Sequence, residues 1–186
     1  TVIMSTSPAG YAGPVLASPK HPAKYSPAVL EEFETQVRKE AKEKGKRLSR
    51  YRVLDPMAGV GGVHRLPCVT VGVELEREWA KVHPDTLVGD CLHLPFRKNH
   101  FDAICVSPVY GTRFRDHHEA QDGSTRRSYT HDLGRKLTEG NSGVLSFRNQ
   151  QDWLHPYRVF HRAAWEEAAR VLRPGGMFLL NVSNFI

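Results

Sequence analysis

The sequence predicts an α/β fold in which a mostly parallel sheet carries helices on both faces. Four short apolar runs, RVLD, VTVGVEL, TLVGD and FDAICV, alternate with polar or helical pieces between residues 52 and 106. Such alternation is typical of parallel strands joined by crossover connections. The 186 residues are 40% hydrophobic, which is enough to bury the core of one domain.

One helix is predicted before these four strands in the sequence, and another is predicted after them. Ser26 suits an N-cap and Pro27 a first helical position, and Gly45 predicts the end of that helix. Its apolar stripe consists of Val29, Leu30, Phe33 and Val37. A later helix is predicted from about Asp152, with apolar positions at Tyr157, Phe160, Ala164, Ala168 and Val171. The segment RPGG (173–176) ends it, and MFLLNVSNF follows as a fifth strand.

The remaining segments are polar or irregular. Residues 1–20 are rich in Pro, Gly, Ser and Ala and predict an irregular arm, so we place the domain at 21–186. Residues 112–150 are polar and nearly free of aliphatic clusters. We interpret them as a long functional loop or lid, because structureless loops of this length seldom occur without a role.

Composition narrows the class of protein. The 26 Lys and Arg residues exceed the 20 Asp and Glu, and the formal charge of +6 favours polyanionic partners, although many basic proteins have none. The three cysteines form no CxxC pair, which argues against a disulfide framework or zinc ribbon and fits a reducing cytoplasm. No apolar run approaches the roughly 18 residues of a membrane span. His117, His118 and His131 lack the spacing of a metal site, and none is predicted.

The segment VLDPMAGVGG (53–62) leads from a buried strand into a glycine turn. Glycines let the backbone approach a ligand, and we expect a helix after the turn to direct its N-terminal amides toward that ligand. A dinucleotide fingerprint would need a third glycine at His64, and a phosphate-binding loop would need Gly-Lys-Ser/Thr. Pyrophosphate ligands are therefore disfavoured.

Acidic residues follow three successive strands. Asp55 ends the first, Glu74 the second and Asp90 the third. Each alone would pass for a surface residue or a helix cap. Ligands of open α/β sheets bind along the edge where parallel strands end, and an acid after the second strand suits ribose hydroxyls. Together the three acids predict a site for an adenosine that carries a cationic neighbour.

The order of DPMAGVGG, VGVE, GDCLHLPF, SPVYG and LRPGG, over about residues 20–186, resembles S-adenosylmethionine (SAM)-dependent DNA amino-methyltransferases that modify cytosine N4 or adenine N6. The resemblance implies a Rossmann-like class I methyltransferase fold, SAM as cofactor, DNA as partner and a bacterial or phage-infected cytoplasm. It assigns the methionine part of SAM to Asp55, Ala58, Gly59 and Gly61, the ribose to Glu74, and the adenine to Asp90 and the Cys91 backbone. The segment HPAKYS resembles the motif that binds the SAM carboxylate, which nominates Lys24 and Ser26.

The segment SPVYG (107–111) resembles the family's catalytic motif of Asp, Asn or Ser, two prolines and an aromatic residue. The resemblance makes the Ser107 hydroxyl and the Pro108 carbonyl acceptors for the target amino group, and Tyr110 the ring that stacks on a flipped base. Serine is commoner among cytosine N4 enzymes, so cytosine is preferred. Val109 departs from the motif, because it replaces the second proline and frees a backbone angle.

The segment after this motif mixes seven basic with five acidic side chains and several aromatic rings. Basic residues among aromatics suit nucleic acid, and we nominate Arg113, Arg115, Arg126 and Arg127 as DNA contacts. A mobile lid without DNA contacts is the competing interpretation.

Length is a second departure from the family, whose sheets usually add two more strands. The sheet is expected to be truncated after the fifth strand, with an apolar edge that a partner, a missing C-terminal segment or another part of the chain would cover.

Three alternatives to DNA methylation stay open. They are an RNA methyltransferase acting on guanine N2 or adenine N6, an impaired enzyme that still binds SAM or DNA, and a small-molecule methyltransferase.

Overall fold

A computed structural model describes residues 25–108, 118–119, 125–126, 132–144 and 150–182. The predicted arm at 1–20 lies outside them. The strands are β1 (Arg52–Asp55), β2 (Val69–Glu74), β3 (Thr86–Val88), β4 (Phe101–Val106), β5 (His118–Glu119), β6 (Thr125–Arg126) and β7 (Leu172–Leu180). All but β5 and β6 form a parallel sheet in the order β3-β2-β1-β4-β7. This is the order of a Rossmann-like sheet, and the predicted fold class is confirmed.

The helices whose bounds both lie in this part of the chain are α1 (Pro27–Glu43), α2 (Arg77–Ala80) and α3 (Gln150–Val171). Short 3₁₀ turns cover Leu48–Arg50, Gly62–Arg65 and Ser142–Val144. Within the described ranges, no helix combines the length and the hydrophobicity that crossing a bilayer requires.

Helix α1 forms as its sequence predicts. The Ser26 hydroxyl caps it by accepting a hydrogen bond from the Val29 N–H at 3.3 Å. At the other end Gly45 has a φ of +60°, and the Lys46 N–H donates to the Ala41 carbonyl at 2.8 Å. This wrapped geometry is typical of a helix that ends at a glycine. The helix buries Leu30, Phe33, Val37 and Ala41.

The two faces of the sheet are covered by different helices because side chains alternate along each strand. One layer packs against α1 and contains Val53, Ala103 and Cys105. The opposite layer contains Leu54, Ile104 and Val106 and packs against Ala168 and Val171 of α3. The strands β1 and β4 are therefore buried on both faces, which explains their nearly continuous apolar sequences.

The helix expected after the glycine turn is absent, and that prediction was wrong. The chain makes only the 3₁₀ turn Gly62–Arg65 before it enters β2 at Val69. Pro67 provides the physical reason, since a proline disfavours helical backbone in the residue before it and cannot donate a helical hydrogen bond. The turn thus offers too few aligned amides to act as a helix N-terminus.

Helix α3 ends at Val171, as the RPGG segment predicted, and β7 begins at the next residue. Leu172 pairs with Phe101 but Met177 pairs with Ala103, so the RPGG segment bulges out of the register. Strand β7 thus begins earlier than predicted, and it ends at Leu180. Among the described strands β7 forms the sheet edge beside β4. What covers this edge stays a prediction.

The polar segment 112–150 holds more regular structure than expected. Its described parts include β5 and β6, which pair antiparallel, and the 3₁₀ turn Ser142–Val144. The interpretation as a loop without secondary structure was therefore wrong in part. Residues 135–141 are hydrogen-bonded to Glu76, two residues after β2, as described below.

Replacing Leu54, whose side chain is fully buried, by alanine is expected to lower the free energy of unfolding by about 2–5 kcal/mol. The loss reflects both the removed methyl groups and the cavity that they leave. Leu87→Ala is the matched control on β3, where the leucine is 42% exposed, and should cost less than about 1 kcal/mol. Urea unfolding followed by circular dichroism measures both values. Equal losses would contradict the assigned layers.

Candidate functional site

The carboxyl ends of the parallel strands meet at one edge of the sheet. Asp55 and Glu74 are the last residues of β1 and β2, Asp90 follows β3 by two residues, and Ser107 follows β4 directly. Ligands of such sheets bind in the crevice outside this edge. The structure therefore brings the predicted acids and Ser107 of the predicted acceptor motif to the same side of the molecule.

The glycine turn is fixed to strand β2 by hydrogen bonds. Gly59 and Gly61 have φ angles of +53° and +81°, a left-handed conformation that glycine adopts without strain. The Ala58 N–H donates to the Val73 carbonyl at 2.9 Å, and the Gly59 N–H donates to the Glu74 carboxylate at 2.8 Å. The turn thus reaches across the end of β1 to the acid at the end of β2.

Glu74 is a buried carboxylate whose two oxygens are both hydrogen-bonded. One accepts from the Gly59 N–H, and the other accepts from the Glu76 N–H at 2.8 Å. Burial raises the pKa of Glu74 to about 7, although both amides favour the charged form. Each oxygen keeps a second lone pair, so the carboxylate has capacity to accept from ligand hydroxyls.

Tyr25 connects the first strand to the predicted catalytic motif. Its hydroxyl donates to the Asp55 carboxylate at 2.7 Å and accepts from the Ser107 N–H at 3.1 Å. The other Asp55 oxygen accepts from the Met57 N–H at 3.0 Å. Burial raises the pKa of Asp55 to about 7, against the opposing effect of these hydrogen bonds. Asp55, Tyr25 and Ser107 thus form one chain of hydrogen bonds across the ends of β1 and β4.

The Ser107 side chain is held from the far edge of the sheet. Its hydroxyl oxygen accepts from the Asn181 amide at 3.2 Å, and the Asn181 N–H donates to the Val106 carbonyl at 2.9 Å. Pro108 is buried next to it. Because a hydroxyl oxygen has two lone pairs, Ser107 retains one for a further donor.

A pocket opens beside Glu74, and its cavity volume is about 40 Å³. This volume is smaller than the roughly 300–1,000 Å³ of typical small-molecule sites, so only part of a nucleoside would fit inside it. The lining combines acids from the ends of β2 and β3 with apolar side chains and a segment from the polar insert. It consists of Pro56, Met57, Glu74, Leu75, Gly89, Asp90, Cys91, Gly140, Asn141, Ser142 and Phe160.

Asp90 and Cys91 enter this pocket from the turn after β3. The Asp90 carboxylate accepts from the Leu92 N–H at 2.9 Å and lies 3.3 Å from the His93 ring nitrogen. Burial raises the pKa of the Cys91 thiol to about 12, so the thiol stays protonated. Neither thiolate chemistry nor a disulfide is indicated, since Cys68, Cys91 and Cys105 are all free.

The other predicted site residues are distributed as follows. The Ser26 hydroxyl caps α1, and its contact with a cofactor stays a prediction. Arg126 is a residue of β6. The predicted contacts that lie outside the described residues are Lys24, Tyr110, Arg113, Arg115 and Arg127.

Three residues of this edge escaped the sequence analysis. Tyr25 stands between the nominated Lys24 and Ser26, where its ring and hydroxyl were a local signal. Glu76, two residues after Glu74, is fully buried and binds residues of the polar insert. Asn181 follows β7, and only the strand order places it beside Ser107. For Glu76, the signal in the sequence was a second acidic residue shortly after β2.

His64, His83 and Asp85 bring their ligand atoms within 4.8 Å of one another. The two imidazole rings stack, with centroids 3.8 Å apart and an angle of 12° between their planes. One metal ion therefore cannot lie in the planes of both rings, as coordination by both would require. The His64 nitrogens are also hydrogen-bonded to the Thr70 and Thr86 hydroxyls at 2.9 and 2.8 Å. Burial lowers the pKa of His64 to about 4. We therefore interpret the cluster as a stacked pair in which His64 is neutral, and we assign no metal to it.

Comparison with known proteins gives fold-level similarities of limited extent. No protein-family model matches this sequence, and no curated protein matches it. The YcgJ protein from Bacillus subtilis is similar over 82% of this chain, with 21% identity and a TM-score of 0.45. A candidate sarcosine dimethylglycine methyltransferase from Galdieria sulphuraria is similar over 84% of it, with 15% identity and a TM-score of 0.38. This chain covers 49% and 52% of those two proteins, about half of each.

The raised pKa of Asp55 predicts how stability changes with pH. The folded protein holds this proton up to about pH 7, whereas the unfolded chain releases it near 3.8, so the native state binds more protons between these values. The contribution of Asp55 to the free energy of unfolding is therefore present at low pH and is lost as pH rises through 7.

Urea unfolding of the wild type and of Asp55→Asn, between about pH 5 and about pH 8, measures this effect. The difference between the two proteins isolates Asp55 from the histidines, whose lowered pKa values act in the opposite direction. We expect the wild type to lose stability relative to the variant as pH rises. Parallel curves would contradict the burial of a protonated Asp55.

Proposed function

We propose that this chain transfers a methyl group from SAM to the exocyclic amino group of a DNA base, with cytosine N4 preferred over adenine N6. The observation that carries the proposal is the connection between the pocket and the acceptor motif. Asp55 and Tyr25 link the glycine turn to Ser107, while Gly59 links the same turn to Glu74. One hydrogen-bonded edge thus carries the residues proposed for the nucleoside and for the amine acceptor.

The pocket chemistry fits the adenosine of SAM. The Glu74 carboxylate accepts hydrogen bonds from the ribose hydroxyls. Asp90 and the Cys91 backbone bind the adenine. Leu75, Met57 and Phe160 supply apolar lining for the purine faces. The glycine turn with Asp55, Ala58, Gly59 and Gly61 holds the methionine part, and Lys24 and Ser26 bind its carboxylate.

Bound SAM would supply the methyl group of its sulfonium. As the bond from this methyl group to the base nitrogen forms, the carbon–sulfur bond breaks and its electron pair stays on sulfur. An exocyclic amine is a weak nucleophile because its lone pair is delocalised into the ring. The free lone pair of Ser107 Oγ and the Pro108 carbonyl accept its hydrogens and favour a pyramidal nitrogen. The methylated nitrogen then releases one proton through these acceptors to solvent. Tyr110 stacks on the flipped base.

The proposed DNA contacts lie on the segment after the acceptor motif. Arg113, Arg115, Arg126 and Arg127 neutralise backbone phosphates. Arg135 is excluded from this set, because its guanidinium donates to the Glu76 carboxylate at 2.8 Å and also pairs with Glu78. The DNA-binding role thus rests on the basic residues that precede Arg135.

The direct test is incubation of the protein with tritiated SAM and unmethylated genomic DNA, followed by mass spectrometry of the nucleosides. We expect N4-methylcytosine as the product. Ser107→Ala should lower the transfer rate about tenfold to a thousandfold while leaving SAM affinity within about twofold, because the lost acceptor acts on the amine. Ser49→Ala, at an exposed serine just before β1 and so at the opposite end of that strand from Asp55, is the matched control.

Other outcomes discriminate the alternatives. Label that enters RNA and not DNA would contradict the DNA substrate and favour an RNA base methyltransferase. SAM binding without transfer to either polymer would favour an impaired SAM- or DNA-binding protein. N6-methyladenine would retain the reaction and overturn the preference for cytosine.

A further inference from the structure

Both carboxylate oxygens of Glu76 accept hydrogen bonds from a segment of the polar insert. Its side chain is fully buried. One carboxylate oxygen accepts from the Thr138 N–H at 2.9 Å and the Asn141 amide at 2.8 Å. The other accepts from the Thr138 hydroxyl at 2.9 Å and the Arg135 guanidinium at 2.8 Å. All four donors come from residues 135–141.

This carboxylate fixes the insert against the pocket. Glu76 lies two residues beyond Glu74, the acid that lines the pocket from β2. Gly140, Asn141 and Ser142 line the same pocket, and we call the segment 138–142 the insert wall. With four donors already on its two oxygens, Glu76 is saturated. It therefore acts on the pocket through the wall and not by contact with a ligand.

The insert wall presents an unused polar group. Ser142 is 2% exposed, and within the described part of the chain its hydroxyl oxygen has no hydrogen-bond partner. A buried hydroxyl without a partner is destabilising, so native structures usually supply one. Ser142 is also one of the residues that line the pocket, so a ligand bound there can complete its hydrogen bonding.

We propose that the insert wall is part of the nucleoside site, with Ser142 hydrogen-bonded to the adenosine portion of the ligand and Glu76 as the residue that positions the wall. This inference rests on the proposed function for the identity of the ligand. A serine hydroxyl donates and accepts, and a purine edge carries both an amino donor and ring-nitrogen acceptors. The wall lines the same pocket as Glu74 and Asp90.

The positioning role of Glu76 is tested without ligand by hydrogen–deuterium exchange. Glu76→Gln keeps the size of the side chain but turns one acceptor oxygen into a donor that opposes Thr138 or Arg135. We expect faster exchange in peptides that cover 138–142 and unchanged exchange in β1 and β4. Glu166→Gln, which loses only the exposed pair with Arg162, is the control. Unchanged exchange at 138–142 in Glu76→Gln would overturn the positioning role.

The binding role is tested by calorimetry with S-adenosylhomocysteine as the probe. Ser142→Ala should weaken binding about three- to tenfold, the effect of one neutral hydrogen bond, and Glu76→Gln at least as much. Ser49→Ala should match the wild type. If the wild type binds and Ser142→Ala binds equally well, the inference is overturned and the proposed function stands. If the wild type does not bind the probe, the proposed function fails first.

Discussion

Buried carboxylates at the carboxyl edge of the sheet are the constraint around which this molecule is organised. Asp55, Glu74 and Glu76 are withdrawn from water, and each must find donors or lose its charge. The donors come from elsewhere in the chain: the Tyr25 hydroxyl for Asp55, the Gly59 amide for Glu74 and the insert for Glu76. Satisfying these acids therefore assembles the start of the domain, the glycine turn and residues 135–141 into one edge.

The same constraint sets the electrostatics of the proposed site. Asp55 and Glu74 have pKa values raised to about 7 by burial, so near neutrality each lies between its neutral and its charged form. A cationic ligand at this edge would favour the charged forms, and ionisation would in turn favour the cation. A sulfonium ligand and these acids thus stabilise one another, whereas a pyrophosphate would be repelled. This agrees with the absence of a phosphate-binding glycine pattern.

Much of this architecture could be predicted from local sequence. Apolar runs bounded by polar residues located the main strands, and Ser26, Pro27 and Gly45 gave the ends of α1 because capping chemistry is local. Local sequence did not predict features that a distant partner or a single proline decides. Pro67 removed the helix expected after the glycine turn, and the Glu76 contacts with residues 135–141 span about sixty positions, which no periodicity reports. The role of Asn181 likewise depends on β7 lying beside β4.

The crystal structure of the protein with S-adenosylhomocysteine would test the central claim most directly. The account predicts the ribose hydroxyls within about 3 Å of the Glu74 carboxylate. It also predicts the adenine between Leu75 and the insert wall, and the sulfur on the side of the pocket toward Ser107. Ligand density at another surface, or an adenosine bound without contact to Glu74, would contradict it.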